Sequence, residues 1–158
     1  EIAYTVIPFI IVAVLFYFTA VKESAITKVS ADDKVSHIID VNGFQWSWQF
    51  TYRDNPTAPI VTGTTAKPPT LVLPVGERVK FNITSTDVVH GFWIPAFMIQ
   101  IQNLPGVKNN IEFTAKKIGT YPGRCNILCG RSHSQMLFKV KVVSVSEYKK
   151  YISNLKAA

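Results

Sequence analysis

Residues 2–21 read IAYTVIPFIIVAVLFYFTAV, a run with no charged side chain. At about 1.5 Å of rise per residue, a helix of this length spans roughly 30 Å, the thickness of a bilayer's hydrocarbon core. The run divides the chain into a lipid-facing part and an aqueous part that must build its own core. Pro8 lies in the first third of the run, where a membrane helix can tolerate it. A secretory signal would carry a basic stretch before the run and an A-x-A-like site after it, and neither is present. Residues 1–22 are therefore read as a membrane span. The sequence begins at Glu1 without a methionine, so a segment upstream is expected.

Residues 23–36 mix Lys, Glu and Asp and read as a linker. From His37 onward the pattern is β. The segments R-V-K-F-N-I-T and L-F-K-V-K-V-V alternate apolar and polar positions, as half-buried strands do. Strands are expected over 37–41, 44–52, 70–73, 78–84, 111–115 and 137–143. Turn signals separate them at Asn42-Gly43, Asp54-Asn55-Pro56, Lys67-Pro68-Pro69, Pro74-Val75-Gly76, Leu104-Pro105-Gly106 and Tyr121-Pro122-Gly123. Short strands at near-regular spacing predict a mainly β sandwich or Greek-key barrel over 37–145 behind the N-terminal helix. A short helix or tail is expected over 146–158. His37 is expected on a strand surface, and Trp48 and Trp93 in the core.

The formal net charge is +7. The basic residues form no stripe in the sequence and match no nucleic-acid motif, so a nucleic-acid partner is not expected.

The chemistry concentrates in residues 125–136, CNILCGRSHSQM. This loop holds both cysteines, with His133 four residues after Cys129 and Met136 three after that. His90 lies upstream in VVHGFW. Two thiolates, two imidazoles and a thioether form a soft set that suits copper rather than magnesium, calcium or manganese. Blue-copper sites use two histidines, one cysteine and a weak methionine; here there is one cysteine more, which permits two coppers bridged by both sulfurs. The chemistry implied is electron transfer, because no open coordination position is needed. Two other readings stay open. A Cys125–Cys129 disulfide would leave His133 and Met136 unexplained, and a zinc site would have unusual spacing and a poor ligand in methionine.

These residues resemble subunit II of the haem–copper cytochrome c oxidases. The family pattern V-x-H, a gap, then C-x-x-x-C-x-x-x-H-x-x-M is matched by Val88, His90, Cys125, Cys129, His133 and Met136. Glu1, Tyr4, Thr5 and Pro8 match the opening of the family's second membrane helix, and GFQWSWQFTY matches its aromatic run. The resemblance implies a cupredoxin barrel holding a dinuclear copper A centre. Cys125 and Cys129 would bridge the metals, His90 and Met136 would complete one copper, and His133 with the backbone carbonyl of Ile127 the other. Trp46 would be the point of electron input, and Glu1 would stand near the entrance of a proton channel. The haems would belong to subunit I and not to this chain. The partners implied are subunit I, other oxidase subunits, a cytochrome c-type donor and membrane lipid. The location implied is the cytoplasmic membrane, with the barrel on its outer, periplasmic side, in preference to the mitochondrial inner membrane.

The chain departs from the family in two respects. Ile127 stands where glutamate is usual, and Gln100 and Gln102 where the family has K-x-D. A magnesium site at the subunit I interface is therefore expected to be absent or altered. From residue 35 onward, 14 bases face 6 acids, so a strongly basic donor is disfavoured unless a supercomplex holds it. A copper A subunit of a nitric oxide reductase and a membrane-tethered copper carrier are the alternative functions.

Overall fold

The computed structural model describes residues 1–155. A single long helix, α1 (Ile2–Thr27), carries the apolar run and has no buried residue; its length and composition suffice to cross a membrane. The helix continues through Lys22 and Glu23, where a linker was expected to begin, because both are good helix formers. The connector that follows is held by polar contacts. Ser30 donates its N–H and its hydroxyl to the Glu112 carboxylate, while Lys80 Nζ reaches the Ser30 carbonyl at 2.8 Å and Asp32 at 2.7 Å.

Ten strands follow: β1 (His37–Phe44), β2 (Ser47–Tyr52), β3 (Val61–Thr62), β4 (Thr70–Pro74), β5 (Arg78–Ser85), β6 (His90–Ile94), β7 (Ile99–Asn103), β8 (Asn109–Thr114), β9 (Gly119–Cys125) and β10 (Leu137–Val143). A C-terminal helix, α2 (Val145–Asn154), ends the described chain. The strands form two five-stranded sheets, sheet A in the order β3-β2-β1-β5-β8 and sheet B in the order β4-β10-β9-β6-β7. The β1–β5 and β4–β10 pairs are parallel and the others antiparallel. This is the mainly β barrel expected from the alternating pattern, with the cupredoxin-like form that the resemblance implies.

Aromatic side chains join the two sheets. Phe138 of β10 stacks on Phe92 of β6 at 5.0 Å and meets Trp48 of β2 edge-on at 5.2 Å. All three are buried, and each such pair stabilises by about 0.5–1.5 kcal/mol beyond its area. The α2 helix opens with a capping box between Ser144 and Glu147. It buries Tyr148 and Ile152, with the Tyr148 ring edge-on to Tyr52.

Two expected turns are strand interior. Asn42-Gly43 lies within β1, and the chain reverses at Gln45–Trp46 instead. Tyr121-Pro122-Gly123 lies within β9. In each case the glycine serves a close approach rather than a turn. A Cβ on Gly43 would come 3.1 Å from the His90 ring, and one on Gly123 would strike Phe138 at 2.1 Å. Strands β3, β6 and β9 carry no strong alternation signal, which is why the sequence does not announce them; β7 does alternate, as I-Q-I-Q, but over only five residues. Residues 156–158 of the expected tail lie outside the described residues.

His37 is not a solvated surface residue. Its side chain is 11 % exposed, with Nδ1 2.6 Å from Asp54 and Nε2 2.6 Å from Glu77. Its ring packs edge-on against Tyr148 at 4.8 Å, and the Tyr148 hydroxyl donates to Asp54 at 2.8 Å. Trp93 also departs from expectation. It is half-buried, and its register partners on the neighbouring strands are Gln100 and Arg124.

Candidate metal centre

One end of sheet B builds the site. Strand β9 ends at Cys125, and the loop to β10 passes Ile127, Cys129 and His133 before Met136 returns the chain to the sheet. The loop is closed on itself by the Cys125 N–H donating to the Met136 carbonyl at 3.0 Å, and by the His133 N–H donating to Gly130 at 3.1 Å. His90 opens β6, next to β9.

The donor atoms converge. The ligand atoms of His90, Cys125 and Cys129 lie within 4.8 Å of one another. The two sulfurs are 3.8 Å apart and both cysteines are free and buried, so they form no disulfide here. Cys129 Sγ is 3.5 Å from His133 Nδ1 and 3.7 Å from Met136 Sδ. Cys125 Sγ is 3.2 Å from the Ile127 carbonyl. His90, Met136 and both cysteines are buried, while His133 and Ile127 are half-buried.

Asp87 fixes the orientation of His90. Its carboxylate lies 2.8 Å from His90 Nε2, which leaves Nδ1 turned toward the sulfurs, buried and without a hydrogen-bond partner. A buried imidazole nitrogen without a partner among thiols is what a metal ligand looks like when no metal is described. The donor set, with two sulfurs that can be thiolates, a thioether and two imidazoles, fits copper. Burial works to raise both thiols. At Cys125 the His90 imidazole and the Gly91 N–H outweigh it and lower the pKa, while at Cys129 the neighbouring Cys125 adds to burial and raises it. The pair thus holds one proton more readily than two.

Sheet A supplies the outer support. At the β1–β2 reversal, Gln45 Nε2 donates to the Cys129 carbonyl at 2.8 Å and Trp46 Nε1 donates to the same oxygen at 3.3 Å. Gly130, at φ +123°, leaves no room for a side chain beside either donor. Trp46 is therefore one hydrogen bond from a cysteine of the cluster. Asp87, Gln45, Gly43 and Gly91 are supporting residues that the motif does not point out. Asp87 was within reach of sequence reasoning, because a ligating histidine commonly donates its other ring N–H to a carboxylate and Asp87 is the acid nearest His90 in the sequence. The other three required the fold.

Glu1 and the side chain of Ile127 stand apart from the cluster's donors, although the Ile127 carbonyl lies among them. Glu1 precedes the exposed end of α1 and caps it with no side-chain hydrogen bond. Ile127 presents its side chain over Gly91, whose Cβ would come 3.0 Å from Ile127 Cγ1. Gly91 pairs with Gln102, and Trp93 with Gln100. Ile127, Gln102 and Gln100 offer no carboxylate on this face, so these residues do not fit a magnesium or manganese site.

Residues 37–143 match the sequence profile of the periplasmic domain of cytochrome c oxidase subunit II. The chain belongs to this family. It is 37% identical to a Streptomyces avermitilis protein named "Probable cytochrome c oxidase subunit 2", over 98% of this chain and 59% of the relative. It is 30% identical to cytochrome c oxidase subunit 2 of Mycobacterium tuberculosis, over 96% of this chain and 57% of the relative. The chain thus spans less than two thirds of the length of these relatives. Among solved structures it is similar to the periplasmic domain of subunit II of cytochrome oxidase (CoxB) of Bradyrhizobium japonicum. That match has 30% identity and a TM-score of 0.71, covering 77% of this chain and 94% of that one.

Proposed function

We propose that this chain is the electron-input subunit of a respiratory haem–copper oxidase, anchored by α1 with its barrel on the outer side of the cytoplasmic membrane. Cys125, Cys129, His90, His133, Met136 and the Ile127 carbonyl would together hold a pair of coppers. When bound, such a centre takes up and releases single electrons with little rearrangement. The observation that carries this reading is the convergence of His90, Cys125 and Cys129 within 4.8 Å, with His90 Nδ1 buried and without a hydrogen-bond partner, both thiols free, and Met136 Sδ 3.7 Å from Cys129 Sγ.

The protein's own groups have defined parts. Asp87 holds the His90 ring so that Nδ1 stays directed at the sulfurs. Gln45 and Trp46 hold the Cys129 carbonyl, and Trp46, half-buried, would pass electrons inward from a cytochrome c-type donor. The electrons would leave for haem in subunit I, where oxygen is reduced and protons are pumped. Glu1 would stand near the entrance of a proton channel in that subunit. No magnesium ligand is assigned to this chain.

The proposal is tested on the full chain in a neutral detergent, loaded with copper and oxidised. The expected paramagnetic resonance spectrum is that of one unpaired electron shared by two coppers, at two coppers per chain. A single-copper spectrum, or copper lost at once to a mild chelator, would favour the tethered carrier instead. A copper A subunit of a nitric oxide reductase would give the same spectrum, and the active-site subunit purified with the chain separates the two.

A further inference from the structure

The fold gathers charges that are dispersed in the sequence. The five strands of sheet B contain no aspartate or glutamate. In β10, Lys139 and Lys141 are exposed, while Phe138, Val140 and Val142 between and beside them are buried. In β9, Arg124 is exposed and pairs with Leu137, and Lys139 pairs with Pro122. Lys67 and Lys141 line one cavity on this side of the barrel, of about 580 Å³. Arg124 and Lys139 line the adjoining one, of about 490 Å³, and Pro68 lines both. None of these four bases forms an ion pair among the described residues. Lys139 and Lys141 are two residues apart on one strand face, hence about 7 Å apart along the chain. Like charges held this close repel. The single acid lining either cavity is Glu147, which accepts hydrogen bonds from Ser144 and feels the charge of Lys141 without forming an ion pair with it, so one acid stands against four bases.

Sheet A is the control within the same molecule. Its exposed bases are neutralised: Arg53, just after β2, pairs with Asp40, and Arg78 with Glu112. The positive charge of sheet B is therefore not simply a solvated surface common to the whole barrel. It also leads somewhere. Arg124 is the residue before Cys125, and Arg131, exposed, follows the Gly130 that packs on Trp46. Leu128, in the same loop, is 81% exposed and ends the charged strip in an apolar contact point, and interfaces combine apolar and polar contacts in this way.

We propose that the outer face of sheet B, from Lys141 through Lys139 and Arg124 to the loop at Leu128, is the docking surface of an acidic electron-donor protein. This deepens the proposed function and rests on it for the word donor, but not for the docking. Complementary potential raises the rate of encounter and fixes orientation, and here it would bring the donor to rest beside the metal loop. The pyrrolidine rings of Pro68 and Pro122 give the lysine stems an apolar bed, so the ammonium groups are held outward.

The test uses the full chain in neutral detergent and one cytochrome c in two forms, native and basic or fully succinylated and acidic. Binding is read by fluorescence anisotropy at about 10 and about 200 mM salt, a range over which the screening length falls severalfold. The acidic form should bind at least about tenfold more tightly at the lower salt. Lys139→Glu with Lys141→Glu should remove most of that gain, whereas Lys116→Glu with Lys117→Glu, in the β8–β9 connection, should keep it. Tighter binding of the basic form, equal losses in both pairs of variants, or no salt dependence overturns the proposal. So does binding only to bicelles containing anionic phospholipid, which would make this a lipid-facing surface. Binding is measured without copper as well as with it. A failed copper centre with intact, lysine-dependent binding would refute the proposed function while leaving the docking face standing.

Discussion

The two sheets of this barrel solve different problems with similar strands. Sheet A is a self-satisfied wall. Its bases meet acids, its Glu112 is 2 % exposed and shared between Arg78 and the connector, and Lys80 holds that connector through Ser30 and Asp32. Sheet B leaves its bases without acids and carries every side-chain donor of the candidate metal centre, His90 on β6, Cys125 at the end of β9 and the rest on the β9–β10 loop. One sheet ties the domain to the connector behind α1, and the other carries the candidate ligands and the unpaired bases. The difference teaches that one barrel can tie up its charges in internal pairs on one sheet and leave them unpaired on the other, while the two sheets still meet at the cysteine loop through Gln45 and Trp46.

The sharpest way to break the comparison is to remove a sulfur. Cys125→Ser or Cys129→Ser should abolish the two-copper spectrum altogether, while apoprotein unfolding by urea shifts little, because the site adds no stability without metal. A large loss of apoprotein stability would mean that the cysteines are core residues first. Next comes Phe138, which spans both sheets. Phe138→Ala should cost about 3–5 kcal/mol in urea unfolding, since it removes contacts to Trp48, Phe50 and Phe92 together. A cost below about 1 kcal/mol would show that the sheets are not joined there and that the cavity collapses.

A smaller effect is expected at the connector. Glu112→Gln removes the charge that Arg78 and Ser30 share, and should cost about 1–3 kcal/mol. It should also speed proteolysis between residues 28 and 36, leaving the copper spectrum unchanged; a changed spectrum would mean that the two sheets are coupled. The smallest effect concerns His37. Burial lowers its pKa, but hydrogen bonds to Asp54 and Glu77 outweigh burial and raise it above the ordinary histidine value of 6.5. A raised folded-state pKa contributes stability that is complete below the unfolded value and is lost as pH rises through the folded one. Docking of α2, followed by protection of its amides, should therefore weaken as pH increases from about 6. His37→Gln should flatten that dependence, and a steeper loss on acidification would reverse the assignment.

Much of this was legible from residues. The uncharged run became α1, and the alternation at 78–84 and 137–143 became β5 and β10, because a half-buried strand must alternate whatever its neighbours are. The spacing of Cys125, Cys129, His133 and Met136 within one loop ensured that these side chains could meet. Other features were misread for a common reason. Gly43 and Gly123 carry turn chemistry in sequence, yet each sits in a strand because another side chain, His90 or Phe138, needs the space of its missing Cβ. His37 carries no sign of its two acids, which arrive 17 and 40 residues later.

The sequence by itself determined the membrane-spanning length, the β class, the soft character of the donor set and the excess of positive charge, because each depends on composition or on spacing along a few residues. Only the tertiary structure decided where the charge lies, which nitrogen of His90 faces the sulfurs, and that Trp46 rests on the Cys129 carbonyl. Those depend on strand pairing, which brings Arg124 beside Trp93, Lys139 beside Pro122, and the β1–β2 reversal over the metal loop. Pairing between distant segments is set by the packing of the whole core, and no local pattern encodes it.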